Sequence, residues 1–220
     1  MPGPVPQSTR LVDRAVQRTL AGRAETYAEE VQRLVAATYR FVERTGSLDP
    51  TVRDILAESG LSRQTFYRHF RSKDELLVAL LDDGRQQIAE YLRRRMDKAQ
   101  TVAAKVRAWV EGVLAQAADA GAADRTRPFL ANLDRLAGAF PEEQRASAAA
   151  MIAPLEDALA AASVPGAVEQ AHLVYLLAVG AMHEHIRDRT KPAPRDVDRL
   201  VAFCLAALGI AEPSRSRARR

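Results

Sequence analysis

At 220 residues the chain is long enough to bury a sizeable core in one or two domains, and its formal charge of +4 with a pI near 9.5 suits a nucleic-acid partner without requiring one. The single cysteine, Cys204, excludes an internal disulfide framework and fits a reducing compartment. No run of about eighteen apolar residues is present to cross a bilayer, and MPGPVPQSTR lacks the apolar segment of a signal peptide, so a cytoplasmic protein without a membrane partner is expected.

Few aromatics and abundant Ala, Leu, Val and Arg favour helices over sheets, and an all-α fold is the default. Pro2, Pro4 and Pro6 keep the first residues extended, and Ser8 can cap a helix from about Thr9. In that helix Leu11, Val12, Ala15, Val16 and Leu20 share one face, whereas Arg10, Arg14 and Arg18 recur on the other. Two readings stay open for this basic stripe: an arm adding backbone or minor-groove contacts to DNA, or a solvated helix packed through Leu11 and Val16. Gly22 loosens the join. Tyr27, Val31, Leu34, Val35, Thr38, Phe41 and Val42 then form a helical stripe that ends at Gly46.

The segment from Thr51 to Glu75 predicts two short helices joined by a tight turn and the start of a third. Thr51 is an N-cap with Asp54 three residues on, Gly60 supplies the positive φ that ends the first helix, and Ser62 caps the second. Phe66 and Phe70 face inward with Leu61, while Arg63, Gln64, Thr65, Tyr67, Arg68 and His69 cover the rest of the surface. From Leu61 to Lys73 there are four Arg or Lys residues and no acidic one. Arg, Gln, Thr and Tyr on one helix face are the groups that pair with base edges and phosphate oxygens.

Thr51-Val52-Arg53-Asp54-Ile55, Gly60-Leu61-Ser62, Thr65-Phe66-Tyr67-Arg68-His69-Phe70 and Ser72-Lys73-Asp74-Glu75-Leu76 resemble the signature of the TetR family of bacterial transcription regulators. The resemblance implies a homodimer bound to double-stranded operator DNA, acting as a repressor, with a helical effector-binding domain behind each reader. By position in the motif it assigns Thr51, Tyr67, His69 and Lys73 to phosphate contacts, and Arg63, Gln64 and Thr65 to base edges. Gln64 stands where many members carry Gly, so an operator sequence does not transfer from relatives.

Ser72 and Glu75 predict a capping box that opens a long helix to about Met96, with Leu76, Leu77, Leu80, Leu81, Ile88 and Tyr91 on its inner side. Lys73 in its first turn adds charge where free N–H groups already favour an anion. Further on, Val102, Val106, Trp109, Val110, Val113 and Leu114 define a helix that stops before Gly121. Pro128 is expected to open a shorter helix with Phe129, Leu130, Leu133 and Leu136, and Pro141 another with Met151, Ile152, Leu155 and Leu159. After Val164-Pro165-Gly166 comes the most apolar helix, to about Arg187, and the last helix follows Pro192 and Pro194 and ends before Gly209.

Between Leu173 and Met182 the penultimate helix is apolar all round and needs cover beyond one subunit's remaining helices, which predicts a homodimer through the last two helices. The resemblance implies the same pair. It also implies a small-molecule effector of unknown identity among the middle helices, where Trp109, Phe129, Leu133, Met151, His172 and Tyr175 are the side chains that could line a cavity. His183-Glu184-His185 lacks metal-ligand spacing, Cys204 is read as a small core side chain, and no nucleophile elbow or phosphate loop occurs. Neither a metal, a cofactor nor catalysis is therefore expected. The readings divide the chain into a basic extension (1–25), a three-helix helix-turn-helix DNA-binding domain (26–73), a C-terminal helical bundle for effector binding and dimerisation (74–210) and a basic disordered tail (211–220). The alternative is a helical interaction module without DNA binding, which a steep loss of DNA affinity with added salt would argue against.

Overall fold

The computed structural model describes residues 11–211 and, of the side chains, those of 24–211. The Ser8 cap, Arg10, the side chains of Arg14 and Arg18 and the RSRARR tail lie outside what is described. Among the described residues there are ten α-helices: α1 (Leu11–Thr45), α2 (Val52–Ser59), α3 (Arg63–His69), α4 (Lys73–Met96), α5 (Val102–Ala118), α6 (Ala120–Leu130), α7 (Leu133–Ala139), α8 (Pro141–Ala161), α9 (Ala167–Asp188) and α10 (Pro194–Ala207). Among the described residues there is no strand.

The helix starts and stops follow the caps. Thr51 Oγ1 accepts from the Asp54 N–H at 3.2 Å while the Asp54 carboxylate accepts from the Thr51 N–H at 2.9 Å, and Gly60 ends α2 with φ at 68°. Ser62 caps α3 by accepting from the Thr65 N–H, and Ser72 caps α4 by accepting from that of Glu75. Glu75 itself reaches back to the N–H of Arg71, one residue before the cap, so the box expected at this end is only half formed.

Two sequence readings are corrected. Gly22 does not divide two helices: α1 runs unbroken through it, because a glycine inside a helix costs only about 1 kcal/mol against alanine. Pro128 does not open a helix either. Asp119 caps α6 earlier, accepting from the Ala122 N–H at 2.7 Å, and Pro128 falls in the last turn, where its missing N–H removes one ladder bond, that to the Asp124 carbonyl, from a helix already near its end. Leu133 and Leu136 belong to the separate helix α7.

Three apolar clusters hold these helices. Leu34, Ile55, Phe66, Phe70 and Leu76 form the core of the α1–α3 unit. A large core around Trp109, Leu92, Leu155, Val174 and Val201 joins α4, α5, α8, α9 and α10. Between them, Val42 and Leu48 meet Leu77, Val78 and Leu80 of α4 and Phe129 and Leu136 of α6 and α7. Each such side chain contributes about 1.5–3 kcal/mol on burial, so the small N-terminal unit leans on the body through this middle cluster.

Candidate nucleic-acid interface and adjoining cavity

The face of α3 is built by what its neighbours tie down. Glu30 of α1 accepts two bonds from Arg68 Nη2, at 2.7 and 2.6 Å, and lies 2.6 Å from His69 Nε2. His69 and Arg68 together, the histidine foremost, hold the Glu30 carboxyl below its ordinary value. Tyr27 adds an edge to the His69 ring and a face to the Arg68 guanidinium. His69, with a side chain only 9% exposed, thus braces α3 against α1 instead of standing free on the surface.

Other expected contact groups also have local partners. Thr51 Oγ1 serves the α2 cap, and the Thr65 hydroxyl shares a 3.0 Å bond with Ser62 Oγ at the start of α3. Lys73 is paired with Asp49, whose carboxyl is held down chiefly by that bond. What remains open on α3 is Arg63, Gln64 and Tyr67, all exposed, with the Arg63 guanidinium 5.5 Å from the centre of the Tyr67 ring. Arg71 follows, exposed and without an ion-pair partner among the described residues. The acid-free run is therefore acid-free in sequence only: Glu30 offsets Arg68 and Asp49 offsets Lys73, leaving positive charge at Arg63 and Arg71. Nothing in the sequence of the motif announces these two partners, which come from α1 and the loop after it.

A cavity of 540 Å³ opens between the N-terminal unit and the body. Tyr39 and Glu43 of α1 form one wall, and Leu80, Leu81, Gly84, Arg85, Ile88 and Tyr91 of α4 another. Arg125, Thr126, Phe129 and Leu133 come from α6 and α7, Met151 from α8, and Tyr175, Val179, Met182 and His183 from α9. Of the six side chains expected to line such a space, Phe129, Leu133, Met151 and Tyr175 do so. Trp109 does not: it is fully buried beside the cavity, its Nε1–H donating to the Met151 carbonyl at 3.1 Å. His172 is exposed on α9 and stacks on Tyr175 from outside.

Burial pushes the Tyr39 hydroxyl well up, and that hydroxyl donates to the Leu80 carbonyl at 3.0 Å with Asp83 Oδ2 at 3.4 Å. His183 is pushed down to about 4, first by burial and then by Arg85 and Arg187, so it is neutral at physiological pH. Arg85 was legible in principle, since it interrupts the inner stripe four residues after Leu81 and three before Ile88. Tyr39 and Arg125 carried no comparable signal. Among the described residues no group of three or more His, Cys, Asp or Glu could hold a metal ion, and no helix is long and apolar enough to cross a membrane.

Residues 34–80 match the family model of bacterial regulatory proteins of the tetR family. No protein of curated function matches the chain. Among solved structures it is similar to reduced NemR of E. coli, with 20% identity over 84% of this chain and 99% of that one at a TM-score of 0.62. A tetR-type regulator of Mesorhizobium loti gives 16% identity over 82% and 97% of the two chains, also at 0.62. FadR of Bacillus subtilis, solved with stearoyl-CoA, gives 18% identity over 81% and 95% at 0.52.

Proposed function

We propose that the chain is a DNA-binding transcription regulator of the tetR family that works in the cytoplasm as a homodimeric repressor, bound to a roughly palindromic operator and released by a small-molecule effector. The observation that carries the dimer is the outer face of α9 and α10. Leu173 is 55% exposed, Leu176 52%, Leu177 41% and Phe203 60%. Nothing lies within 4 Å of where a Cβ on Gly180 would be, so a second backbone can come close. Exposed apolar side chains of this number are unfavourable in water, and a second copy of α9 and α10 covers them as a four-helix bundle about a two-fold axis. The two α3 helices then sit roughly 34–36 Å apart, one turn of DNA.

Release follows from where the cavity lies. It is walled by α1 of the reading unit and by helices α4 to α9 of the body, so a bound molecule has different contacts when these parts move relative to each other. An effector shifts the equilibrium only by its difference in affinity for the two arrangements, and reversing a 99:1 ratio takes about 5.5 kcal/mol. That FadR of Bacillus subtilis holds stearoyl-CoA supports a ligand-responsive body in this chain. Footprinting the purified protein on DNA flanking its own coding region tests the proposal. The expected result is a protected, roughly palindromic site that Leu176→Arg abolishes while the protein runs as a folded monomer in ultracentrifugation. Protection that persists in a monomer would refute the dimer, and absence of any protected site would refute the repressor.

A further inference from the structure

The polar groups of the cavity narrow the chemistry of its ligand, an inference that rests on the effector-responsive reading above. Arg85 is carried inward on the apolar stripe of α4, and its protein partners are both on Gln144: Nη1 donates to Oε1 at 2.8 Å and to the main-chain carbonyl at 3.5 Å. Among the described residues no ion pair includes Arg85. A guanidinium has five N–H donors and does not give up its proton, so a half-buried one without a counter-ion leaves strong donors unused in a site of low dielectric. Burial works against its charge, and Tyr175 and Asp82 offset this only in part.

The remaining charges agree. Arg125 adds a second cation at the exposed mouth, likewise without an ion pair among the described residues, and Glu43 on the outer rim is the single carboxylate of the walls. His183 is neutral and adds no charge. The apolar walls combine aliphatic side chains with the rings and thioethers of Phe129, Tyr91, Tyr175, Met151 and Met182, and the rings and thioethers suit the faces and edges of a flat apolar body.

We propose that this cavity binds an aromatic organic acid, its carboxylate docked on Arg85 and drawn in past Arg125, its ring system lying among Phe129, Met151 and Met182. The anion supplies the counter-charge that Arg85 lacks, and a bidentate carboxylate matches the guanidinium edge. An uncharged isostere loses that bond, and a cation of the same shape meets two like charges.

Calorimetric titration of the full chain with 2-naphthoate, 2-naphthamide and 2-naphthamidine, three probes with one ring system and different charge, tests this. The carboxylate is expected to bind at least about tenfold more tightly than the amide, with the amidine weakest. Arg85→Gln should remove the advantage of the carboxylate and leave the amide within about threefold, and Arg85→Lys should restore part of it. Should Arg85→Gln fail to fold, the ranking on the unaltered protein decides alone. Equal binding of carboxylate and amide, preference for the amidine, or no heat from any of the three would overturn the proposal. Duplex binding by the same preparation is a separate readout: its loss sinks the regulator reading and leaves the ranking of the three probes intact.

Discussion

On the proposed DNA-binding reading, Arg63 and Lys73 approach the duplex from different starting conditions, and their substitutions should read differently. Arg63 is exposed with only the Tyr67 ring beside it, so Arg63→Ala is expected to cost roughly 1–3 kcal/mol of operator affinity and to relax one base position. Lys73 must first leave Asp49. Lys73→Ala should weaken all duplexes alike and lower the slope of affinity against salt by about one, whereas Asp49→Asn should tighten binding to any duplex; anisotropy titrations over a range of salt separate the two. Glu30 gives a stability prediction with a defined sign. Its folded pKa lies below the ordinary value near 4.5, so its contribution is complete above that pH and fades as pH falls through the lowered folded value. Glu30→Gln should therefore reduce the melting temperature at pH 7 and converge on the parent in acid.

Among the helices, α5 packs tightly on α4 at Gly112. A Cβ there would stand 2.6 Å from Leu92 Cδ2 and 3.2 Å from Arg95 Cδ, and Leu92 is fully buried with no room to yield. Gly112→Ala should cost about 1–3 kcal/mol in urea unfolding in spite of the better helix propensity of alanine. Helix ends were the most legible feature of the sequence, because a cap is a local event: Thr51, Gly60, Ser62 and Ser72 act within three residues of themselves. Pro128 misled because proline permits a helix start without compelling one, and the side chain that does start α6 is Asp119, nine residues earlier. The reading face was legible as a set of residue types. Its charge balance was not, since Glu30 and Asp49 offset part of it across 24 to 39 residues of sequence. Trp109 and His172 show the same limit for the cavity: periodicity gives a face of a helix, and only the packing of other helices decides whether that face meets a void, a core or water.

On the scale of the molecule, the proposed two-fold axis makes spacing a measurable quantity. Inserting about five base pairs between the operator halves turns one half-site to the opposite side of the duplex, and binding in gel-shift titrations should fall towards that of a single half-site. The cluster of Val42, Leu48, Leu77, Val78, Leu80, Phe129 and Leu136 draws on α1, α4, α6 and α7 and on the loop after α1. Reader and body consequently have no clean seam between them. A chimera that transplants residues 24–72 onto a foreign body would arrive with half of a shared interior missing, and specificity in this protein is better re-engineered by editing the exposed side chains of α3 than by exchanging modules.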